Sequence, residues 1–120
     1  MKLAYCDGGT IGLNGRGATG GYGSWKCGAE TRRLEHAYAT NNESEYATLI
    51  DLLGYVCARG LEDVVIYCDS QLIVRQVNGE WKVKAGNLRG FCKHAQELMR
   101  DSRARLEWVP RETIVRQLGH

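Results

Sequence analysis

Residues 64–70 read Val64-Val65-Ile66-Tyr67-Cys68-Asp69-Ser70. An unbroken apolar, β-branched run of this length is the mark of a central strand covered on both faces, and it stops at an aspartate. Ser70 then stands where it can cap a short helix through about Val77, which Asn78-Gly79 would close. The start of the chain repeats the ending. Lys2-Leu3-Ala4-Tyr5-Cys6-Asp7 is a mostly apolar strand that halts at Asp7-Gly8. An acid at the end of a buried strand is costly unless it is solvated, paired or bound to a cation. In open α/β sheets, the crevice beyond the carboxyl ends of neighbouring strands is also the usual ligand site. Either aspartate alone reads better as a turn starter or a cap. If the two strands are neighbours, Asp7 and Asp69 meet.

Working outward, the glycine-rich stretch Gly8 to Gly23 reads as a loop, and residues 21–28 and 32–39 as a hairpin with Leu34, His36 and Tyr38 on one face. From Glu43 to Arg59, Tyr46, Leu49, Ile50, Leu53 and Cys57 recur at helical spacing before Gly60. A second long helix is expected from Leu88 to Arg100, and an alternating strand from Ala104 to Val109, halted by Pro110. The order of three strands, helix, strand, two helices and strand implies an α/β fold with a five-stranded mixed sheet, antiparallel first and parallel after, flanked by helices. No linker or repeat interrupts residues 1–120, which read as one domain.

Composition narrows the class. A chain of 120 residues with 43% hydrophobic and 25% charged content suits a single packed core rather than disorder. No apolar run approaches the roughly 18–20 residues that span a bilayer, and Met1 leads straight into a strand, so a cytoplasmic protein without membrane association is expected. Cys6, Cys27, Cys57, Cys68 and Cys92 are odd in number and contain no C-x-x-C pair, which argues against a disulfide framework or zinc ribbon and for small buried hydrophobes. Net charge is only +2, but it is unevenly spread: residues 1–70 hold six Lys/Arg against nine Asp/Glu, and residues 71–120 hold ten against five. An acidic half for cations and a basic half for phosphates would suit a nuclease.

A third carboxylate, Glu45, lies in Thr40-Asn41-Asn42-Glu43-Ser44-Glu45-Tyr46. With Asn42 as N-cap, Glu45 takes the third helical position of a near capping box, or it points from the first turn towards a cation held by the strand ends. Oxygen donors without a His or Cys cluster favour Mg²⁺ or Mn²⁺. Taken together, Asp7-Gly8-Gly9-Thr10, the segment 40–46, Asp69-Ser70-Gln71-Leu72-Ile73-Val74 and Trp108-Val109-Pro110-Arg111-Glu112 resemble ribonuclease H type 1, most of all its compact archaeal-like branch. The motifs occur in the family's order along essentially the whole chain.

That resemblance implies a ribonuclease H-like fold and an endonuclease that hydrolyses the RNA strand of RNA–DNA hybrids with two Mg²⁺ ions, Mn²⁺ substituting, to leave 5′-phosphate and 3′-hydroxyl ends. It assigns catalysis and metal binding to Asp7, Glu45 and Asp69, with Asp7 bridging both ions and Glu45 and Asp69 holding the one nearer the leaving group. It gives Asn41, Asn42 and Gln71 to the minor groove of the hybrid, Thr40 to a DNA phosphate, and adds Gly8 and Ser70 to the substrate-binding set. Amides suit that task because they both donate to and accept from base edges and 2′-hydroxyls. Lys82, Lys84, Arg89 and Lys93 are candidates for the DNA strand's phosphates, while Trp81 is expected in the core.

The chain departs from the family at its end. Where the pattern has an asparagine and a fourth metal-binding aspartate, it reads Ile114 and Leu118, and the final helix is expected to be missing or a stub. Leucine cannot bind Mg²⁺. One ion is therefore expected to bind weakly, with water, Glu112, Gln117 or, remotely, the terminal carboxylate of His120 in place of the aspartate; Arg116 is a further source of positive charge. The alternatives are a non-catalytic hybrid-binding module and another nuclease of the same fold, such as a resolvase or exonuclease. A monomer without a protein partner is the simple expectation. Gly15-Arg16-Gly17-Ala18-Thr19-Gly20 matches G-x-G-x-x-G, but a strand rather than a helix follows, which removes the dinucleotide reading.

Overall fold

The computed structural model describes residues 1–11, 20–38 and 40–119. Strand β1 is Lys2–Ile11, β2 Gly20–Cys27, β3 Glu30–His36, β4 Val64–Cys68 and β5 Arg105–Trp108. They form one sheet in the order β3-β2-β1-β4-β5. Pairing is antiparallel across β3, β2 and β1, and parallel across β1, β4 and β5, as expected of the mixed sheet. Helices α1 (Asn41–Ala58), α2 (Gln71–Val77), α3 (Gly86–Ser102) and α4 (Arg111–Leu118) flank it.

Strand β4 is buried almost throughout, which is why its sequence is an unbroken apolar run. Helices α1 and α3 pack against each other, and α1 lies on β1 and β2. Trp25, Tyr46, Leu49, Leu53, Ile66 and Ile73 fill the layer between helices and sheet. Helix α4 packs on β1 and β2, with Ile114 fully buried. Four of the five cysteines, Cys6, Cys27, Cys68 and Cys92, are buried, all five are free thiols, and Cys57 is half-buried. Among the described residues, no helix is long and apolar enough to cross a membrane.

Several boundaries differ from the sequence reading. The expected loop Gly8 to Gly23 is strand at both ends: Gly8 pairs with Gly23, Gly9 with Tyr22, Thr10 with Gly21 and Ile11 with Gly20. The glycines answer a packing demand rather than a turn. A Cβ on Gly8 would lie 2.7 Å from the Ser44 carbonyl oxygen and 2.9 Å from the Glu45 nitrogen, so the α1 backbone rests directly on β1. Cβ atoms on Gly21 and Gly23 would likewise collide with Ser44 and Thr48. The third strand closes at His36 rather than residue 39, and Ala39 is outside the described residues, as are Gly15 to Thr19 of the G-x-G-x-x-G match and His120.

The cap of α1 also moves. Thr40, not Asn42, is the N-cap: its Oγ1 accepts from the Glu43 backbone N–H at 3.2 Å, and the Thr40 N–H donates to Glu43 Oε1 at 3.3 Å. Thr40 and Glu43 have the reciprocal spacing that a capping box requires, so Glu43 occupies its third position and Glu45 falls two residues deeper into the helix. Ser70 caps α2 as expected, accepting from Ile73 N–H at 3.2 Å. The terminal helix is short rather than absent: α4 has eight residues and closes at Gly119 in the left-handed conformation.

Candidate metal centre and nucleic-acid interface

The parallel ladder between β1 and β4 ends at the pair Tyr5 and Tyr67, whose rings stack 5.5 Å apart. Beyond that pair β1 continues alongside β2 alone, so the sheet opens just before Asp7 and Asp69. This is the split at which open α/β sheets form a crevice. Glu45 comes down from α1 over Gly8. One carboxylate oxygen from each of Asp7, Glu45 and Asp69 falls within 4.8 Å of the other two. Three acids from three elements thus share one small volume.

Such crowding disfavours full ionisation. Burial, together with the charges of Asp7 and Asp69, pushes the Glu45 carboxyl up to about 8, while a hydrogen bond with Ser70 and the charge of Arg111 act the other way. The side chain of Asp7 is 5% exposed and that of Asp69 7%. A set made only of carboxylate oxygens fits a hard divalent cation of the Mg²⁺ or Mn²⁺ type, which would also relieve the repulsion.

Two further residues complete the crevice, and neither was assigned a role from sequence. Arg111, first in α4, places Nη1 3.1 Å from Asp69 Oδ2 and 4.0 Å from Asp7 Oδ2. Trp108 donates its indole N–H to the Asp69 carbonyl oxygen at 3.1 Å. The signal for both lies in Trp108-Val109-Pro110-Arg111, which ends β5, the parallel neighbour of β4, and leads into α4. Residues there are bound to stand beside Asp69.

The substitute ligands fare differently. Glu112 is exposed in the first turn of α4, next to Arg111, whereas Gln117 lines a hollow beside Met1, Leu3 and Tyr5 at the start of β1. Glu112 is not among the three acids of the carboxylate cluster. Leu118 is half-buried near the end of α4.

Around the cluster, α1 and α2 both begin with amides. Asn41 and Gln71 open their helices and are exposed, and Asn42 is half-exposed. The Thr40 hydroxyl, matched by resemblance to a phosphate contact, is engaged with Glu43 in the cap. Asn42 lines a hollow of about 580 Å³ together with Leu72, Trp81, Lys82 and Lys84. Trp81, expected in the core, is instead 46% exposed, with the Arg75 guanidinium 5.3 Å from its ring centre. It lies in the irregular segment between α2 and α3, which no helix covers. Arg89 and Lys93, on α3, are exposed, and Arg89 donates to the Val83 carbonyl oxygen at 3.3 Å.

Known proteins share this fold. The family model described as "Reverse transcriptase-like" matches residues 22–116. The "Bifunctional protein Rv2228c" of Mycobacterium tuberculosis is 37% identical over 119 residues, which cover 92% of this chain but 32% of that protein. The chain therefore spans about a third of that curated relative. Among solved structures, RNase H1 from Halobacterium salinarum is 30% identical with a TM-score of 0.84, covering 96% of this chain and 89% of the other. The N-terminal RNase H domain of Rv2228c is 29% identical with a TM-score of 0.83, covering 96% and 86%. LC11-RNase H1, isolated from compost and solved with an RNA/DNA hybrid, shares the fold at 24% identity, with a TM-score of 0.83 and coverage of 97% and 90%. With three acids at the opening of a β3-β2-β1-β4-β5 sheet and these matches along nearly its full length, the chain belongs to the reverse transcriptase-like family and, within it, to the type 1 ribonucleases H.

Proposed function

We propose that this chain is a metal-dependent endonuclease that hydrolyses the RNA strand of RNA–DNA hybrids, with residues 1–120 forming one catalytic domain. The observation that carries the reading is the convergence of Asp7, Glu45 and Asp69 within 4.8 Å of one another, flanked by the amides that open α1 and α2. Asp7, Glu45 and Asp69 would hold two Mg²⁺ ions, with Asp7 the ligand common to both, and Mn²⁺ would serve in place of Mg²⁺. When bound, the ions supply an activated water for in-line attack and charge stabilisation at the departing 3′ oxygen, which gives 5′-phosphate and 3′-hydroxyl ends.

The chain's own residues do the rest. Asn41, Asn42 and Gln71 read the minor groove, where 2′-hydroxyls distinguish the RNA strand. Gly8 and Ser70 complete the substrate-binding set, and Thr40 meets a phosphate of the DNA strand. Lys82 and Lys84, beside Trp81, neutralise phosphates of the DNA strand along the hollow they share with Asn42. Three carboxylates would support one well-held ion and one weak one. Water, Glu112 or Gln117 would complete the weak site.

The test is cleavage of labelled RNA–DNA hybrid with Mg²⁺ or Mn²⁺, with duplex DNA and duplex RNA as controls. Asp7→Asn is expected to lower hybrid cleavage by at least about a thousandfold while the circular dichroism spectrum is retained, since it removes the shared ligand. Cleavage near the wild-type rate in that variant would refute the assignment. Asn42→Ala and Gln71→Ala are expected to weaken hybrid binding more than metal binding. The missing fourth carboxylate favours one second reading, a hybrid-binding module. Tight hybrid binding without cleavage under either metal would establish it.

A further inference from the structure

The carboxylate cluster already has a cation beside it, supplied by the chain. Arg111 follows Pro110 at the start of α4, where its Nη1 faces Asp69 Oδ2 at 3.1 Å and Asp7 Oδ2 at 4.0 Å. The aspartates are 5% and 7% exposed, but Arg111 is 66% exposed. The acids are therefore fixed and the cation is free to leave. A guanidinium donates hydrogen bonds to the same oxygen lone pairs that a divalent ion needs, so the two cannot use them together.

From this geometry we propose that Arg111 is a built-in competitor of the divalent cation. It neutralises Asp7 and Asp69 in the metal-free protein, must withdraw when metal binds, and so sets the metal affinity of the centre. Three carboxylates attract the ion against one guanidinium. Withdrawal requires no unpacking. The buried anchor of α4 is Ile114, one turn along, and the Arg111 side chain lies over solvent. Trp108, which donates to the Asp69 carbonyl, keeps that strand end in place when the guanidinium departs.

The inference rests on reading the cluster as the metal centre, so its test has to separate the two. Mn²⁺ binding is measured by calorimetry on the metal-free full chain, without nucleic acid, for the wild type, Arg111→Gln, Arg111→Lys and Asp7→Asn. Arg111→Gln is expected to bind Mn²⁺ about tenfold more tightly, the lower end of the effect that a neighbouring opposite charge has on a carboxylate, as befits an exposed partner. Arg111→Lys should fall between the two, since lysine keeps the charge but loses the planar fork. A second readout excludes a merely structural role: Arg111→Gln should lower Tm in the metal-free protein, and the gap to wild type should close at saturating Mn²⁺. Affinity within twofold of wild type or weaker in Arg111→Gln, with binding abolished in Asp7→Asn, overturns the competitor and leaves the metal centre standing. Wild-type affinity in Asp7→Asn, or no Mn²⁺ bound by either wild type or Arg111→Gln, overturns both.

Discussion

Helix α1 reaches the carboxylates over a floor of glycines, whereas α4 reaches them with one long side chain. On the α1 side, the backbone of Ser44 and Glu45 sits so close to Gly8 that a single methyl group would strike it, and Glu45 is held where that contact puts it. On the α4 side, Arg111 crosses open solvent to Asp69 and is itself two-thirds exposed. One flank therefore positions its carboxylate by backbone contact, which admits little adjustment in a close-packed interior. The other flank positions its charge by a flexible arm, which can be exchanged. On the proposed reading, the fixed flank would hold the cation's ligands and the exchangeable flank its counter-charge.

The largest expected effect comes from breaking the rigid flank. Gly8→Ala places a Cβ 2.7 Å from the Ser44 carbonyl oxygen, so α1 must lift from β1 and carry Glu45 with it. The variant should lose about 1–3 kcal/mol in urea melts, as overpacked cores do, and bind Mn²⁺ at least several-fold more weakly. Gly54→Ala, where an added Cβ meets nothing within 4 Å, is the matched control on the same helix and should gain about 0.5–1 kcal/mol. Unchanged Mn²⁺ affinity in Gly8→Ala would mean that glycine contact does not position Glu45.

A smaller effect follows from the charge that this rigid flank buries. The Glu45 carboxyl is raised from its ordinary 4.5 to about 8, so the folded, metal-free protein holds this proton more tightly than the unfolded chain does. Stability from this group is complete below about pH 4.5 and is lost as pH rises through about 8. Glu45→Gln keeps the neutral shape and removes the titration. Its Tm should match wild type near pH 4 and exceed it by on the order of 5 °C at pH 9 without metal. A gap that is constant with pH would remove burial of this acid as the cause.

The smallest effect is expected at the far end of the flexible flank. Helix α4 rises about 1.5 Å per residue, which carries position 118 roughly 10 Å along the axis from Arg111. Its neighbour Gln117 already lines the hollow beside Met1, Leu3 and Tyr5 rather than the crevice. Leu118→Asp should therefore change Mn²⁺ affinity by less than about threefold. A larger gain would show that the last turn of α4 bends back towards Asp7 when metal is present.

What was legible in the chain, and what was not, follows the range of the forces involved. Strand β4, helix α2 and the Ser70 cap depend on neighbours within a few residues, and both their type and their limits could be read. The pairing of Asp7 with Asp69 could be anticipated because both strands end alike, and Glu45 because the motif around it resembles a known family. Gly8, Gly21 and Gly23 looked like a loop because their reason lies across space, in α1. Thr40 and Asn42 are both good caps by type, and only the reciprocal bond with Glu43 decides between them. Trp81 carried no periodic neighbours to say that no helix would cover it. The role of Arg111 depended on β5 lying beside β4, which no local pattern announces.

The outer strand β3 bears on a different matter, the fate of the chain at high concentration. An unpaired sheet edge is a template for another chain's backbone, and long flat apolar edges seed fibres. Along Glu30-Thr31-Arg32-Arg33-Leu34-Glu35-His36, two acids and two arginines stand in the strand that closes the sheet on this side, and the first four residues are exposed. A second copy that docked in register would meet like charge opposite like charge at several positions. Among the described residues, the edge is guarded against strand-to-strand aggregation by charge, and that protection weakens as salt screens the charges.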